Sequence, residues 1–213
     1  YKDLFTNTRL IEIIFMTLLI AVVSTIISII IGTLGAIALT KTGRKFRKAI
    51  LQVNNLPIMN PDIVTAIGLL LLFVSLSVEK GYVTMLIAHI SFCTPYVVVT
   101  VYPKLKSLNP NLMEASMDLG AKPLKAIKSV LLPQMKESIW ASAAISFTMS
   151  FDDFVISYFT GGSKLNISTY LYTEAKKINP TINALSTIIM LIIVLKIVFD
   201  KIKDRRKANE EDS

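Results

Sequence analysis

Long apolar runs separated by short polar segments dominate this sequence from one end to the other. Five runs stand out: Glu12 to Thr40, Asp62 to Val78, Val83 to Tyr102, Ser138 to Thr160, and Asn183 to Phe199. Each is close to or longer than the roughly 17 to 25 residues that cross about 30 Å of hydrocarbon as a helix. None alternates apolar and polar positions as an outer-membrane barrel strand does. The pattern predicts an all-α integral membrane protein with five transmembrane helices in this chain.

Composition and charge support this class and orient the helices. The chain is 53% hydrophobic and 18% charged, which is too apolar for a typical soluble protein of 213 residues. Its basic cluster from Lys41 to Lys48 belongs in the cytoplasm by the positive-inside rule. Alternation then places the Lys104 to Lys136 segment and the carboxyl terminus inside, and the amino terminus outside. We attribute the net charge of +8 to topology and to contact with anionic membrane lipids, not to nucleic acid.

The polar segment between the third and fourth runs predicts two short helices. Asn109 or Asn111 is placed to cap the first helix, and Gly120 to end it in the left-handed conformation. A proline at position 123 suits the start of the second helix. Its packing face is predicted from apolar residues at helical spacing, Leu124, Ile127 and Leu131.

Two adjacent acids, Asp152 and Asp153, lie inside the fourth apolar run. An acid within a membrane span costs up to about 3 kcal/mol on insertion scales and normally faces a bundle interior or a wet cavity. A positively charged substrate would compensate such charges. The alternative is structural: either acid caps a break in the helix or pairs with a lysine of a partner. Successive helical positions point about 100° apart, so both acids need not face one cavity.

Catalytic chemistry finds no support in the sequence. It contains no phosphate-binding loop, no His-Glu-x-x-His and no nucleophile-elbow motif, so any ATPase has to be another polypeptide. Cys93 lies within a span and is interpreted as a packing residue. His89, the chain's one histidine, is expected to pack or hydrogen-bond rather than to bind a metal.

Several segments resemble the permease subunits of bacterial ABC importers. The coupling-loop pattern of that family is carried by Glu114, Ala115, Ser116, Gly120, Val130, Leu132 and Pro133, with Ser116 in place of an alanine and Val130 in place of an isoleucine. Ala88 to Tyr102, the acid pair and Asn179 to Leu185 narrow the resemblance to the C-type permease of spermidine/putrescine importers. The resemblance covers nearly the whole chain.

The resemblance implies one permease domain, residues 1–213, with a coupling loop at 104–137 and a polar cytoplasmic tail at 201–213. It implies a first transmembrane helix missing from this sequence, hence six in the full-length protein. The implied partners are a second permease subunit, two ATPase subunits that carry ATP and magnesium, and an extracytoplasmic polyamine-binding protein. The chain itself then needs no cofactor and is not an enzyme.

The expected function is import of spermidine or putrescine across the bacterial cytoplasmic membrane by alternating access. Carboxylates attract the ammonium groups of a polyamine, and aromatic rings pack on its charges or methylenes. The candidate carboxylates are Asp152, Asp153 and Glu174, and the candidate aromatics are Tyr96, Tyr158 and Tyr170. An importer for another solute, such as a metal ion, and a cation channel remain as alternatives.

Backbone breakers and small residues mark where helices bend or approach one another. Pro57, Pro61 and Pro95 are predicted to bend or break helices near the pathway. Gly32 and Gly35 are predicted to permit close helix approach.

Overall fold

The computed structural model describes residues 7–109, 111–175, 183–184, 186–188, 190–192 and 194–196 of the chain. Throughout these residues the regular structure is helical. The main helices are α1 (Thr8–Thr40), α2 (Arg44–Met59), α3 (Asp62–Ser75), α4 (Tyr82–Ser107), α5 (Leu112–Asp118), α6 (Pro123–Ala126), α7 (Leu132–Asp152), α8 (Val155–Thr160) and α9 (Ile167–Ala175). A turn of π-helix, Ile127–Leu131, joins α6 to α7.

The chain divides into two compact units, residues 14–169 and residues 1–13 with 170–213. The larger unit contains most of α1 and all of α2 to α8. It therefore holds both the acid pair and the segment with the coupling-loop pattern. Tyr170 and Glu174 belong to the second unit.

Among the described residues, two helices are long and apolar enough to cross a membrane, α1 with 33 residues and α4 with 26. They match the first and third predicted spans. The second predicted span coincides with α3, which is bent by 106° from α2; counted as one span, this pair makes a third candidate. Pro61 precedes α3 directly at the bend, as predicted for a helix breaker.

The fourth predicted span is not one continuous helix. α7 ends at Asp152, and α8 begins only at Val155. Of the fifth predicted span, residues 183–184, 186–188, 190–192 and 194–196 are described and are helical, whereas the predicted tail at 201–213 lies outside the described residues.

Close contact between α1 and α4 depends on Gly32. A Cβ atom added there would lie 2.7 Å from the Cβ of Val97, closer than real Cβ contacts allow. Among the described residues, nothing lies within 4 Å of such an atom at Gly35, so the prediction of a second close approach there was wrong.

The packing of α7 against α4 uses small residues. Ser142, Ser146 and Ser150 recur every four residues along α7 and are fully buried. Cys93 of α4 is buried as well, with its Sγ 3.5 Å from the carbonyl oxygen of Ser146. This confirms the interpretation of Cys93 as a packing residue.

Candidate functional site

The break between α7 and α8 is held by Asp153. Its backbone is extended, with ψ of 126°, which stops α7 from continuing. Its carboxylate accepts hydrogen bonds from the backbone N–H of Ile156 at 3.2 Å and of Ser157 at 2.7 Å. These donors in the first turn of α8 have no partner within the helix, so the aspartate caps it. The structural interpretation of the acid pair, a capped helix break, is therefore what the contacts of Asp153 show.

His89 of α4 forms hydrogen bonds to residues on both sides of this break. Its Nδ1 lies 2.6 Å from the Ser150 hydroxyl, and its Nε2 lies 2.9 Å from the Ser157 hydroxyl. The same Nε2 is 3.4 Å from Asp153 Oδ2, and the Ser157 hydroxyl donates to that oxygen at 2.8 Å. The expectation that His89 has a hydrogen-bonding role is confirmed.

Asn166, in the segment before α9, adds two further hydrogen bonds to this network. Its side-chain amide donates to the Asp153 carbonyl oxygen at 2.6 Å and to the Ser157 hydroxyl at 2.8 Å. Ser150 is also joined to Ser24 of α1, hydroxyl to hydroxyl, at 3.0 Å. We call His89, Ser150, Asp153, Ser157 and Asn166 the buried polar network.

Buried polar groups within a membrane protein are costly unless they are paired, at about 1–3 kcal/mol for each unsatisfied group. In this network each named side chain has at least one partner within the protein. It connects α4, α7, α8 and the segment before α9, and it reaches α1 through Ser24. The broken fourth span is therefore a fixed structural feature.

The two adjacent acids differ in exposure. The Asp153 side chain is 7% exposed, whereas Asp152 is an exposed residue. The Asp152 backbone carbonyl accepts a hydrogen bond from the Ser168 hydroxyl at 3.0 Å. Since one acid is committed to the break, the neighbouring carboxylate is the one presented at the surface of this subunit.

The predicted aromatic residues occupy different surroundings. Tyr158 on α8 is 52% exposed, with its ring centroid 5.5 Å from that of Phe154. Tyr96 on α4 is half-buried and packs edge-on against Phe92 at 5.6 Å. In the second unit, Tyr170 is buried and Glu174 half-buried, both on α9.

The coupling-loop segment folds into the two predicted short helices. Gly120 ends α5 with φ of +86°, and its N–H donates to the Met117 carbonyl at 2.8 Å. Asn111 occupies the cap position before α5, but its side chain makes no capping bond; the Asn109 side chain instead accepts from the N–H of Asn111 at 3.0 Å. The second helix begins at Pro123, as predicted.

The first helix of the loop is anchored through one face. Met113 is buried and Met117 packs against the same apolar cluster, which includes Leu105, Leu131 and Met135. Among the residues of the family pattern, Glu114, Ala115, Gly120 and Pro133 are exposed, and Ser116, Val130 and Leu132 are half-buried. The pattern residues therefore combine a packed base with an exposed surface.

The predicted packing face of the second loop helix was wrong at Leu124. That side chain is 72% exposed, while Ala126 is fully buried beside Leu131. The π-helical turn at Ile127–Leu131 explains the difference, because it carries more residues per turn than the α-helix and shifts the apolar register. Leu119, 90% exposed, adds a second apolar side chain to the surface of the loop.

The residues that sequence reasoning missed are the polar partners of the break: Ser24, Ser150, Ser157 and Asn166. Serines at four-residue intervals in an apolar helix were the available signal for Ser150. Asn166 lay in a loop between apolar runs, where nothing in the sequence indicated its partner.

The broken polar span and the two-helix loop on an all-helical scaffold together define a membrane transport subunit, and the comparisons identify its family. Residues 28–208 match the family described as "Binding-protein-dependent transport system inner membrane component". The chain belongs to this family. It is an inner-membrane, multi-pass permease component of an ABC transporter, a non-catalytic subunit. Membership implies separate ATPase and binding-protein partners.

Curated relatives are similar to this chain over most of its length. The spermidine/putrescine transport system permease protein PotC of Escherichia coli K12 is 36% identical, with 100% of this chain and 82% of that protein covered. The PotC homolog of Mycoplasma genitalium is 39% identical over 84% of this chain, which spans 64% of the relative's length. The putrescine permease PotI of E. coli K12 is 34% identical, with 89% and 71% covered.

Solved ABC transporters share the fold. A chain of the MetNI methionine transporter in inward-facing conformations superimposes with a TM-score of 0.67 at 19% identity, covering 91% of this chain and 94% of that one. A chain of the bacterial alginate transporter, in complex with an alginate-bound periplasmic protein, gives 0.66 at 18% identity, covering 91% and 78%. At these identities the likeness establishes the fold alone.

Proposed function

We propose that this chain is the permease subunit of an ABC importer that moves polyamines, spermidine or putrescine, into the cytoplasm by alternating access. The names of its PotC and PotI relatives support this cargo. The observation that carries the proposal is the exposed Asp152, held next to a capped helix break within the fourth span. A carboxylate in such a position costs free energy unless a cation approaches it.

The two acids have different proposed roles. Asp152 attracts an ammonium group of the cargo, and the exposed ring of Tyr158 on α8 offers a face for its methylenes or charge. Asp153 keeps the break in place and so orients its neighbour. Tyr96, Tyr170 and Glu174 complete the proposed pathway set, with the second permease subunit supplying the opposite wall.

Five transmembrane segments in this chain and an external amino terminus complete the proposed topology. The helices α1 and α4 support the first and third segments, and α3 lies at the position of the second. The coupling loop, residues 104–137, then faces the cytoplasm together with the tail at 201–213. All of these segments form one permease domain.

Coupling to ATP is proposed to run through the exposed surface of the loop. Glu114 lies on it, and the exposed Leu119 and Leu124 add apolar contact area for a partner ATPase. The ATPase pair binds ATP and magnesium, and its closure moves the loop as a lever. A second permease subunit completes the pore, and an external binding protein delivers the polyamine.

Uptake by membrane vesicles tests this proposal. The full-length chain is co-expressed with its permease, ATPase and binding-protein partners, and ATP-dependent uptake of labelled spermidine and putrescine is measured. Asp152→Asn should reduce uptake at least tenfold, whereas the matched control Glu79→Gln, an exposed acid outside both the proposed pathway and the coupling loop, should not. Loss of uptake in both variants, or in neither, contradicts the assignment of Asp152.

Two further results would change the cargo or the class of protein. An assembled complex that hydrolyses ATP but takes up no polyamine indicates another solute, such as a metal ion. Cation flux through the two permease subunits without any ATPase indicates a channel.

A further inference from the structure

We propose that a cavity beside the coupling loop is a binding site for the phosphate headgroup of an anionic phospholipid, whose acyl chains lie on the apolar side of α2. The inference rests on the cytoplasmic placement proposed above but not on the cargo. It assigns a ligand to a part of the subunit that the transport pathway does not use.

The cavity has a volume of about 400 Å³ and gathers positive charge from three separate segments. Lys41 follows α1, Arg47 lies on α2 and Lys106 lies near the end of α4. Glu114 of α5 is the one acid on its wall. Within the described part of the chain, no ion pair joins this glutamate to any of the three cations. The described residues on its wall thus give the cavity a net positive charge.

Helix α2 supplies the second observation. It has no buried residue among its sixteen. One side of it, made of Arg47, Leu51, Asn54 and Ile58, is half-buried against the rest of the unit, and Asn54 donates a hydrogen bond to the carbonyl oxygen of Pro95 at 3.2 Å. A different side presents exposed apolar side chains: Phe46, Ile50, Val53 and Leu56.

The orientation of α2 fits the bilayer surface. Because α2 is bent by 106° from α3, it lies close to the membrane plane when α3 runs along the bilayer normal. A helix in that orientation, with an apolar stripe and a basic end, is typical of the membrane interface. The exposed Arg44, Lys45 and Lys48 at its start would face the headgroup layer.

The cavity and the apolar stripe are neighbours on the same helix. Arg47 lines the cavity, and the stripe residues Phe46 and Ile50 lie directly before it and one turn after it. A molecule that fills both has an anionic head and an apolar body, which a free phosphate ion lacks. A phospholipid with a net negative charge meets both requirements.

Lipid bound in this cavity would contact α5, which is part of the coupling loop that we propose moves as a lever. The cavity wall includes Met113 and Glu114 of α5, so an occupied cavity limits how far α5 can move toward α1. We therefore expect anionic lipid to change the rate of ATP hydrolysis by the complex without entering the polyamine pathway.

The test uses the complete transporter complex in nanodiscs of phosphatidylcholine, with and without phosphatidylglycerol. Native mass spectrometry counts retained lipid, and ATP hydrolysis is measured in parallel. In the triple variant Lys41→Gln, Arg47→Gln, Lys106→Gln, retention of phosphatidylglycerol should fall at least tenfold, since each basic group near an anionic surface accounts for about fivefold in affinity. The matched control is Lys122→Gln, Lys125→Gln, Lys128→Gln, which removes the same charge from exposed positions outside both the cavity and α2.

Each outcome decides the proposal. Loss of retained phosphatidylglycerol in the cavity variant alone supports it, and equal loss in both variants overturns it in favour of a diffuse surface charge. If the triple variant does not assemble, the wild-type complex still gives an answer. Phosphatidylglycerol must raise its melting temperature in phosphatidylcholine nanodiscs while glycerol 3-phosphate does not; an equal effect of glycerol 3-phosphate would show a free-anion site instead. A failure of polyamine uptake would leave this result unaffected.

Discussion

His89 and Asp153 meet inside the larger unit, with Nε2 of the histidine 3.4 Å from Oδ2 of the aspartate and the Ser157 hydroxyl in hydrogen-bonding distance of both. Both side chains are buried, at 1% and 7% exposure. The pair connects a continuous helix, α4, to the break in the fourth span. Through this contact Asp153, an acid inside a membrane segment, has a structural role.

Removal of the histidine should destabilise the complex. His89→Ala removes the two buried hydrogen bonds of the ring with Ser150 and Ser157, and each such bond contributes about 0.5–1.5 kcal/mol. We expect a lower melting temperature for the purified complex, measured by intrinsic fluorescence. His89→Gln, which keeps a donor and an acceptor, should recover part of the loss. An unchanged melting temperature in His89→Ala would contradict the importance of the network.

The adjacent acids should separate into a stability effect and a transport effect. Asp153→Ala removes the cap on α8, for which about 0.5–2 kcal/mol is typical, and leaves His89 without its acidic neighbour. Asp152→Ala changes an exposed side chain, so the melting temperature should stay within about 1 °C of wild type while uptake falls. The comparison of thermal unfolding with uptake in both variants checks this. Equal destabilisation by the two substitutions would refute the division.

The two glycines of α1 should differ in tolerance. Gly32→Ala forces a Cβ to within 2.7 Å of Val97, so α1 and α4 must move apart. Overpacking of this kind typically costs about 1–3 kcal/mol. Gly35→Ala is the matched control, because no described residue lies within 4 Å of its Cβ position. Thermal unfolding of the complex should show the loss in the first variant alone.

Gly120 should be sensitive through its backbone rather than its surroundings. No atom lies within 4 Å of a Cβ built there, but φ of +86° is unfavourable for a side chain, especially a β-branched one. Gly120→Val should change the end of α5 and uncouple ATP hydrolysis from uptake while membrane insertion persists. Gly120→Asn, which tolerates the left-handed region better, should retain more uptake. The ratio of transported polyamine to hydrolysed ATP is the measurement.

The exposed leucines of the loop should matter for assembly and not for folding. Leu124→Ser alters a side chain that is 72% exposed, so its effect on stability should be within about 0.5 kcal/mol. It should nevertheless weaken association with the ATPase, detected as loss of co-purification. Leu131→Ser is the contrasting variant: its side chain is 7% exposed, and burying a hydroxyl there should lower the melting temperature. Full ATPase co-purification with Leu124→Ser would remove this leucine from the proposed contact.

The coupling loop shows which structural features local sequence signals can predict and which they cannot. A glycine after an amphipathic segment and a proline three residues later were sufficient to predict the end of α5 and the start of α6, because both signals act on the backbone within one turn. The packed face of the second helix was not predictable in the same way. Its register depends on a π-helical turn, which forms where tertiary packing favours it over the regular α-helical ladder.

The sequence by itself determined that this is a helical membrane protein, where its main apolar segments lie, and which family its loop pattern resembles. Those properties follow from hydrophobicity, charge and backbone signals that act over a few turns of helix. Only the tertiary structure decided that Asp153 caps a break while Asp152 remains exposed, and that His89, Ser157 and Asn166 complete the cap. Those roles depend on which polar groups meet across separate helices, and neither spacing nor periodicity within one segment encodes that meeting.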